Sequence, residues 1–336
     1  MKKKVRHRHS LEDYHAGILL GDKVLLAQAI TLAESELESD RNLIENLIEK
    51  IVTHKKDSIR IGITGSPGVG KSTFIETFGR HLTTQNKKVA VLAIDPSSYK
   101  TKGSILGDKT RMEELAKDPL AFIRPSATRN RLGGVAAGTS ESIILCEAAG
   151  FEVIIIETVG VGQSETAVRN LVDFFLLLML AGSGDELQGI KKGIMEMADG
   201  IVITKADGEN LKKATQAQAD FTHALHLFQL PESGWNPKVL TSSALEKTGI
   251  EETHKIISDY IRFTQANGFF EKNRHQQDIA CFHDYFNSSL LHLLAQRSTI
   301  EKSKKKLERE IMAGEITPWL ASRQLSNLVI DALKKI

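Results

Sequence analysis

One nine-residue stretch limits this chain more than any other. Gly65-Ser66-Pro67-Gly68-Val69-Gly70-Lys71-Ser72-Thr73 directly follows the apolar run Ile61-Gly62-Ile63-Thr64. It satisfies G-x-x-x-x-G-K-[ST]. The glycines let successive backbone N–H groups wrap a phosphate, the lysine reaches the β and γ phosphates, and the Ser72 hydroxyl faces Mg²⁺ at a helix N-terminus whose dipole favours the anion. At ordinary residue frequencies a chance match arises about 0.01 times in a chain of this length. A strand, a phosphate-binding loop and a helix are therefore expected in that order.

The surrounding pattern extends this unit. Short apolar runs at 61–64, 89–94, 151–157, 174–181, 201–204 and 239–243 alternate with helical stretches. Near-continuous apolar strands separated by helices predict an α/β fold with a mostly parallel sheet covered on both faces. We assign residues 58–250 to this P-loop core. Residues 1–57 form a helical N-terminal extension, because Leu25, Leu26, Ala29, Ile30, Ala33 and Leu37, and then Leu43, Ile44, Leu47, Ile48 and Ile51, recur at helical spacing. Beyond residue 250 strand-like runs cease, and 251–336 is expected to be a helical arm for dimerisation. Lys302, Lys304, Lys305 and Lys306 among Glu301, Glu308 and Glu310 fit an exposed helix face with i,i+4 pairs.

Composition excludes several functions. Lysine and arginine number 44 against 42 acidic residues, a net charge of +2, so no electrostatic case exists for nucleic acid or an anionic membrane. The longest apolar run, Phe174 to Ala181, is far short of the roughly 20 residues of a membrane helix. Cys146 and Cys281 lack metal-ligand spacing and are expected to be buried in a reducing compartment. The basic opening lacks an apolar segment before Glu12 and Asp13, which places the chain in the cytoplasm. His7, His9 and His15 near that start are expected to be solvated rather than to store metal.

Two further signals specify the nucleotide. Thr204-Lys205-Ala206-Asp207 follows the 201–204 run, and Ser243-Ala244-Leu245 follows the 239–243 run. The Asp207 carboxylate can accept hydrogen bonds from guanine N1–H and the 2-amino group, the Lys205 stem can cover the base plane, and a backbone N–H at Ser243-Ala244 can donate to guanine O6. Ligands bind beyond the carboxyl ends of parallel strands, so the set points to GTP. Carboxylates at strand ends facing the P-loop are Asp95 and Glu157. Glu157-Thr158-Val159-Gly160 puts a carboxylate where it can hold Mg²⁺ through water, and a Gly160 N–H where it can sense the γ-phosphate. Asp95, followed by Pro96-Ser97-Ser98, also suits a helix N-cap. Gln163 is the candidate water-positioning side chain.

These residues, together with DPSSYKTKGSILGDKTRM at 95–112, IRPSATRNRLGG at 123–134, ETVGVGQSE at 157–165, GSGDELQGIKKGIMEMADG at 182–200 and SALEKTGI at 243–250, resemble the G-protein chaperones of adenosylcobalamin-dependent methylmalonyl-CoA mutase. Members of that family have also been labelled arginine/ornithine transport ATPases or kinases. The resemblance implies a GTPase of the signal-recognition and metallochaperone branch, a homodimer, and a mutase as protein client. By match to the family's motifs, Asp95, Asp108 and Glu157 surround Mg²⁺ and the attacking water, while Lys71 and Ser72 hold the phosphates. The 182–195 stretch resembles an additional switch loop through which Asp185, Glu186, Lys191 and Lys192 communicate with the client. The family's base motif usually begins with Asn, where this chain has Thr204. The competing functions are transfer of the γ-phosphate to a protein acceptor and service to another metalloenzyme.

Overall fold

Seven strands build one sheet in the computed structural model, which describes residues 8–35, 37–95, 112–127, 134–158, 164–182 and 191–333. They are β1 (Ile59–Gly65), β2 (Val89–Asp95), β3 (Ala121–Ala127), β4 (Val153–Thr158), β5 (Phe174–Leu180), β6 (Gly200–Thr204) and β7 (Lys238–Thr241). The order is β3-β2-β4-β1-β5-β6-β7. Every pairing is parallel. The sheet thus has the expected α/β class, with β1 at its centre between β4 and β5. Register sets Glu157 beside both Ile63 and Ala93, so the end of β4 emerges with the start of the P-loop and the end of β2. Strand β3 was not among the apolar runs. It carries Arg124 and Pro125 and lies at the sheet edge, where a residue without an N–H is tolerated.

Alternation along the strands divides the core in two, because successive side chains face opposite sides. On one face Ala90, Leu92, Ile94, Ile154, Ile156 and Phe175 meet Tyr14, Ile18, Leu26, Ile30, Ile44, Leu47 and Ile51. Those residues come from helices Leu11–Leu19, Lys23–Ala33 and Glu38–Ile51. The N-terminal segment is therefore part of the sheet's packing. Its first two helices are separated by Gly21 at φ 79, and each starts on a side-chain cap: Ser10 in a reciprocal box with Asp13, and Asp22 accepting from the Val24 and Leu25 N–H groups. On the other face Ile61, Ile63, Val89, Val91, Ile155, Leu176 and Leu178 pack with helix Lys71–Thr84, through Phe74, Ile75, Phe78 and Leu82. Helix Ile250–Ala266 joins the same cluster through Ile256, Ile257, Tyr260 and Ile261.

The contact between those two helices is expected to respond to pH. His81 Nε2 lies 3.2 Å from His254 Nδ1. Burial, then the neighbouring His81 and Lys87, hold His254 below the ordinary histidine value, with Glu251 acting in the opposite direction. The unfolded chain takes up a proton near pH 6.5, as ordinary histidines do, and the native chain resists it, so stability is lost as pH falls below that value and is level above it. Urea unfolding at about pH 7.5 and about pH 5.5 is expected to show a larger drop in midpoint for the wild type than for His254→Gln. Equal drops would exclude His254 as the source.

The chain divides into two compact units, Met1–Arg131 with Val135–Cys281, and Leu132–Gly134 with Phe282–Ile336. Helix Phe269–Gln296 begins in the first, where Arg274 donates to both Asp173 oxygens at 2.8 Å and to Ser58 O at 2.7 Å. The second unit contains helices Ser298–Met312 and Pro318–Leu333, with Lys305–Glu301 and Lys306–Glu310 as i,i+4 pairs. Phe282, Phe286, Leu293, Trp319 and Ile330 of this unit are exposed. Cys146 is buried as expected, whereas Cys281 is half-buried, its Sγ 3.3 Å from Ser140 Oγ. No described helix is long and apolar enough to cross a membrane.

Candidate nucleotide site

The loop from Gly65 to Gly70 leaves the central strand and turns sharply into helix Lys71–Thr84. Gly65 has φ 153, and a Cβ there would stand 2.5 Å from the Leu178 carbonyl of β5, so the backbone tolerates no side chain at this bend. Gly70, at φ 95, precedes the helix, which starts without a side-chain cap and leaves its first N–H groups for an anion. Val69 is fully buried and anchors the loop, while Pro67, Gly68 and Thr73 are exposed and Ser66 half-buried. Lys71 folds over the loop, Nζ donating to Gly65 O at 2.7 Å and Ser66 O at 3.3 Å. Burial pulls its ammonium below the usual lysine range, opposed by the Glu157 and Glu165 carboxylates.

The end of β4 closes one side of this loop. Ser72 Oγ donates to Glu157 Oε1 at 3.3 Å, and Glu157 is only 7% exposed. One residue on, the Thr158 hydroxyl donates to the Thr64 hydroxyl at 2.7 Å, locking β4 to β1 just below the loop. A hydroxyl and a carboxylate, oxygen donors only, meet beside the phosphate lysine. That donor set suits Mg²⁺, which keeps most of its waters and takes one or two protein oxygens. Asp95 ends β2 on the same edge, its side chain outside what is described. Asp108, Gly160, Gln163, Asp185 and Glu186 lie outside the described residues, and Lys191 and Lys192 are described only as backbone in the first turn of helix Lys191–Met197.

The opposite side is built by the ends of β6 and β7. Thr204 is buried, and its Oγ1 lies 2.7 Å from Val69 O and 3.1 Å from Met179 O. The hydroxyl thereby ties β6 to the P-loop. Lys205 adopts φ 56, unusual for a residue with a Cβ, and its Nζ donates to Gly68 O at 2.9 Å, which stretches the stem beside Gly70. Asn210 Nδ2 donates to Lys205 O at 2.6 Å and holds that turn. Ser243, fully buried, donates from Oγ to Asp207 Oδ2 at 2.5 Å and accepts the Glu246 N–H at 3.1 Å. Asp207 is thus oriented by the loop after β7. The Ala244 carbonyl accepts from Thr77 Oγ1 at 3.4 Å, and Leu245 is 83% exposed.

The structure brings Lys71, Ser72, Glu157, Thr204, Lys205, Asp207 and Ser243 to the carboxyl edge of one sheet. Sequence reasoning missed Glu165, Asn210 and the Thr64–Thr158 bond. Glu165 sits one residue into helix Ser164–Arg169, 2% exposed, and reaches the field of Lys71. Its only signal is an acidic residue in a helix's first turn beside a switch-like segment.

A family model described as methylmalonyl Co-A mutase-associated GTPase MeaB matches residues 26–299. A probable GTPase of Mycobacterium tuberculosis is 47% identical over 305 residues, 91% of this chain and 91% of that protein. The GTPase ArgK of Escherichia coli is 43% identical over 309 residues, 92% and 93% of the two chains. A mitochondrial methylmalonic aciduria type A homolog of Mus musculus is 39% identical over 339 residues, 98% and 81%. The crystal structure of an LAO/AO transport system kinase superposes with a TM-score of 0.74 at 36% identity, covering 97% of this chain and 99% of that one.

Proposed function

The chain belongs to the methylmalonyl-CoA mutase-associated GTPases, and from that premise we propose that it hydrolyses GTP to GDP and phosphate with Mg²⁺ in order to gate cofactor loading or protection of an adenosylcobalamin-dependent mutase. The observation that carries the reading is the convergence of Lys71, Ser72 and Glu157 on one side of the P-loop with Asp207 and Ser243 on the other. In this reading the loop N–H groups and Lys71 hold the β and γ phosphates, the Lys205 stem covers the base, and Asp207, fixed by Ser243, selects guanine. Ser72 would hold Mg²⁺ directly and Glu157 through water, with Asp95 and Asp108 as further carboxylates. The ion would neutralise charge on the phosphate oxygens. Gln163 and Gly160 belong to the segment that positions water and senses the γ-phosphate. Asp185, Glu186, Lys191 and Lys192 are assigned to the client-facing loop, and the exposed apolar residues of the second unit support a homodimer through the C-terminal helices. We place the protein in the cytoplasm.

Turnover by the protein alone is expected to be slow, because no described residue beside Lys71 supplies an arginine to the transferred phosphate. A transition-state charge supplied by a partner or by loop closure raises such rates by about 10³ to 10⁵. Release of γ-³²P from GTP, measured with and without an adenosylcobalamin-dependent mutase, should appear as free phosphate and be stimulated by the mutase. Stable label on a protein acceptor would favour the kinase reading instead. Turnover of many per second in isolation would remove the role of the client in the cycle.

A further inference from the structure

Asn210 stands immediately before helix Leu211–Leu225, where an asparagine side chain ordinarily caps the first free N–H groups. Here it makes no cap bond. Its Nδ2 turns back five residues and donates to Lys205 O at 2.6 Å, while its own N–H closes the same turn on Asp207 O at 2.9 Å. The peptide between Lys205 and Ala206 is thereby held at both ends, because its N–H donates to Ser242 O at 3.1 Å. Lys205 precedes this fixed plane at φ 56, a conformation that a residue with a Cβ keeps only where its surroundings impose it. Its ammonium bond to Gly68 O, at 2.9 Å, is exposed and competes with water, so it does not impose that conformation alone. The stem lies close beside the P-loop, with Cε 3.8 Å from where a Cβ would stand at Gly70.

We propose that Asn210 is a positioning residue of the base site: by holding the Lys205 carbonyl it keeps that lysine left-handed and its stem beside the P-loop, ready to cover the plane of a guanine base. The inference rests on the proposed nucleotide reading, which assigns that cover to Lys205. Without the amide, Lys205 O turns to water and the residue is free to relax to negative φ. That rotation redirects Cβ and carries the stem away from Gly68 and Gly70. Asp207 is held independently, by Ser243 from the loop after β7. The loss should therefore fall on affinity shared by purine bases, not on the choice among them. It should also fall on binding rather than turnover, since cover of the base is the same before and during phosphate cleavage.

Equilibrium binding of a fluorescent GDP to the full chain with Mg²⁺, competed by unlabelled GDP or by IDP, which lacks the 2-amino group, tests it. Asn210→Ala should weaken both by about 3- to 10-fold, the share of one hydrogen bond, and leave their ratio at the wild-type value. The KM for GTP should rise by the same factor with kcat little changed. Asn210→Asp separates positioning from helix capping. Aspartate caps a helix as well as asparagine does but offers no N–H to the Lys205 carbonyl, so it should weaken GDP at least as much as alanine. Lys205→Gly supplies the third arm, because glycine adopts φ 56 without strain and has no stem to direct. Adding Asn210→Ala to it should change GDP affinity by less than about 1.5-fold. Wild-type affinity in Asn210→Ala or Asn210→Asp overturns the proposal, as does a full loss on adding Asn210→Ala to Lys205→Gly. A wild-type chain that binds no fluorescent GDP marks instead the failure of the nucleotide reading, and overturns both.

Discussion

Lys71→Ala is expected to lose GTP hydrolysis by at least about 10² to 10³-fold, the usual consequence of removing one preorganised charge from a transition state. Its ammonium sits at the mouth of the P-loop, bonded to the carbonyls of Gly65 and Ser66 and flanked by Glu157 and Glu165. Nothing in the apolar clusters depends on it. Its loss takes a donor from the carbonyls of buried Gly65 and half-buried Ser66, so unfolding should shift by about 1–3 kcal/mol, far less than the loss of turnover. The informative comparison is therefore phosphate release against thermal midpoint in the same preparation. Retention of wild-type turnover would mean that this loop is not where GTP is cleaved, and a collapse of the midpoint would mean that Lys71 supports the fold.

Asp207→Asn should produce the second large effect, a loss of GDP affinity of about 10² to 10³-fold, since hydrogen bonds to a charged group contribute roughly 1.5–3 kcal/mol each and two are altered. A carboxylate accepts both the N1–H and the 2-amino hydrogens of guanine. An amide accepts one and points its own N–H₂ at the other. Ser243 Oγ, 2.5 Å from Asp207 Oδ2, fixes which way the group faces, so the replacement cannot simply swing aside. Xanthine presents an oxygen where guanine has its amino group, and the amide can donate to it. Competition of GDP, ADP and XDP for the variant should accordingly show XDP gaining as GDP falls. A variant that still prefers GDP by the wild-type margin would move base selection elsewhere.

The sequence disclosed these elements unevenly, and the reasons are physical. The buried strands β1, β2, β4, β5 and β6 are visible because both of their faces are covered, which requires nearly continuous apolar residues. β3 has a polar and proline-containing text because it pairs on one side only. The P-loop was legible since its glycines and its Lys-Ser pair are dictated by a phosphate. The hydroxyl of Thr204 was not legible as a tie to Val69 O, because that contact joins residues 135 positions apart and follows only from the order of strands. Thr204 reaches the P-loop with one short hydroxyl where an Asn would offer a longer amide. Glu165 was hidden for a similar reason: the Lys71 charge it influences follows a different strand, β1.

The cover that helices Leu11–Leu19, Lys23–Ala33 and Glu38–Ile51 provide for the sheet has a consequence during synthesis. Their apolar stripes are made first, but the surface that receives them includes Ile154 and Ile156 of β4. About a hundred further residues must be translated before that strand exists, which at about 5–20 residues per second takes roughly 5–20 seconds. For that interval the nascent chain carries three sticky helices with no place to dock. Ribosome-bound chains stopped before β4 should therefore be captured by general chaperones, and chains stopped beyond it should be released.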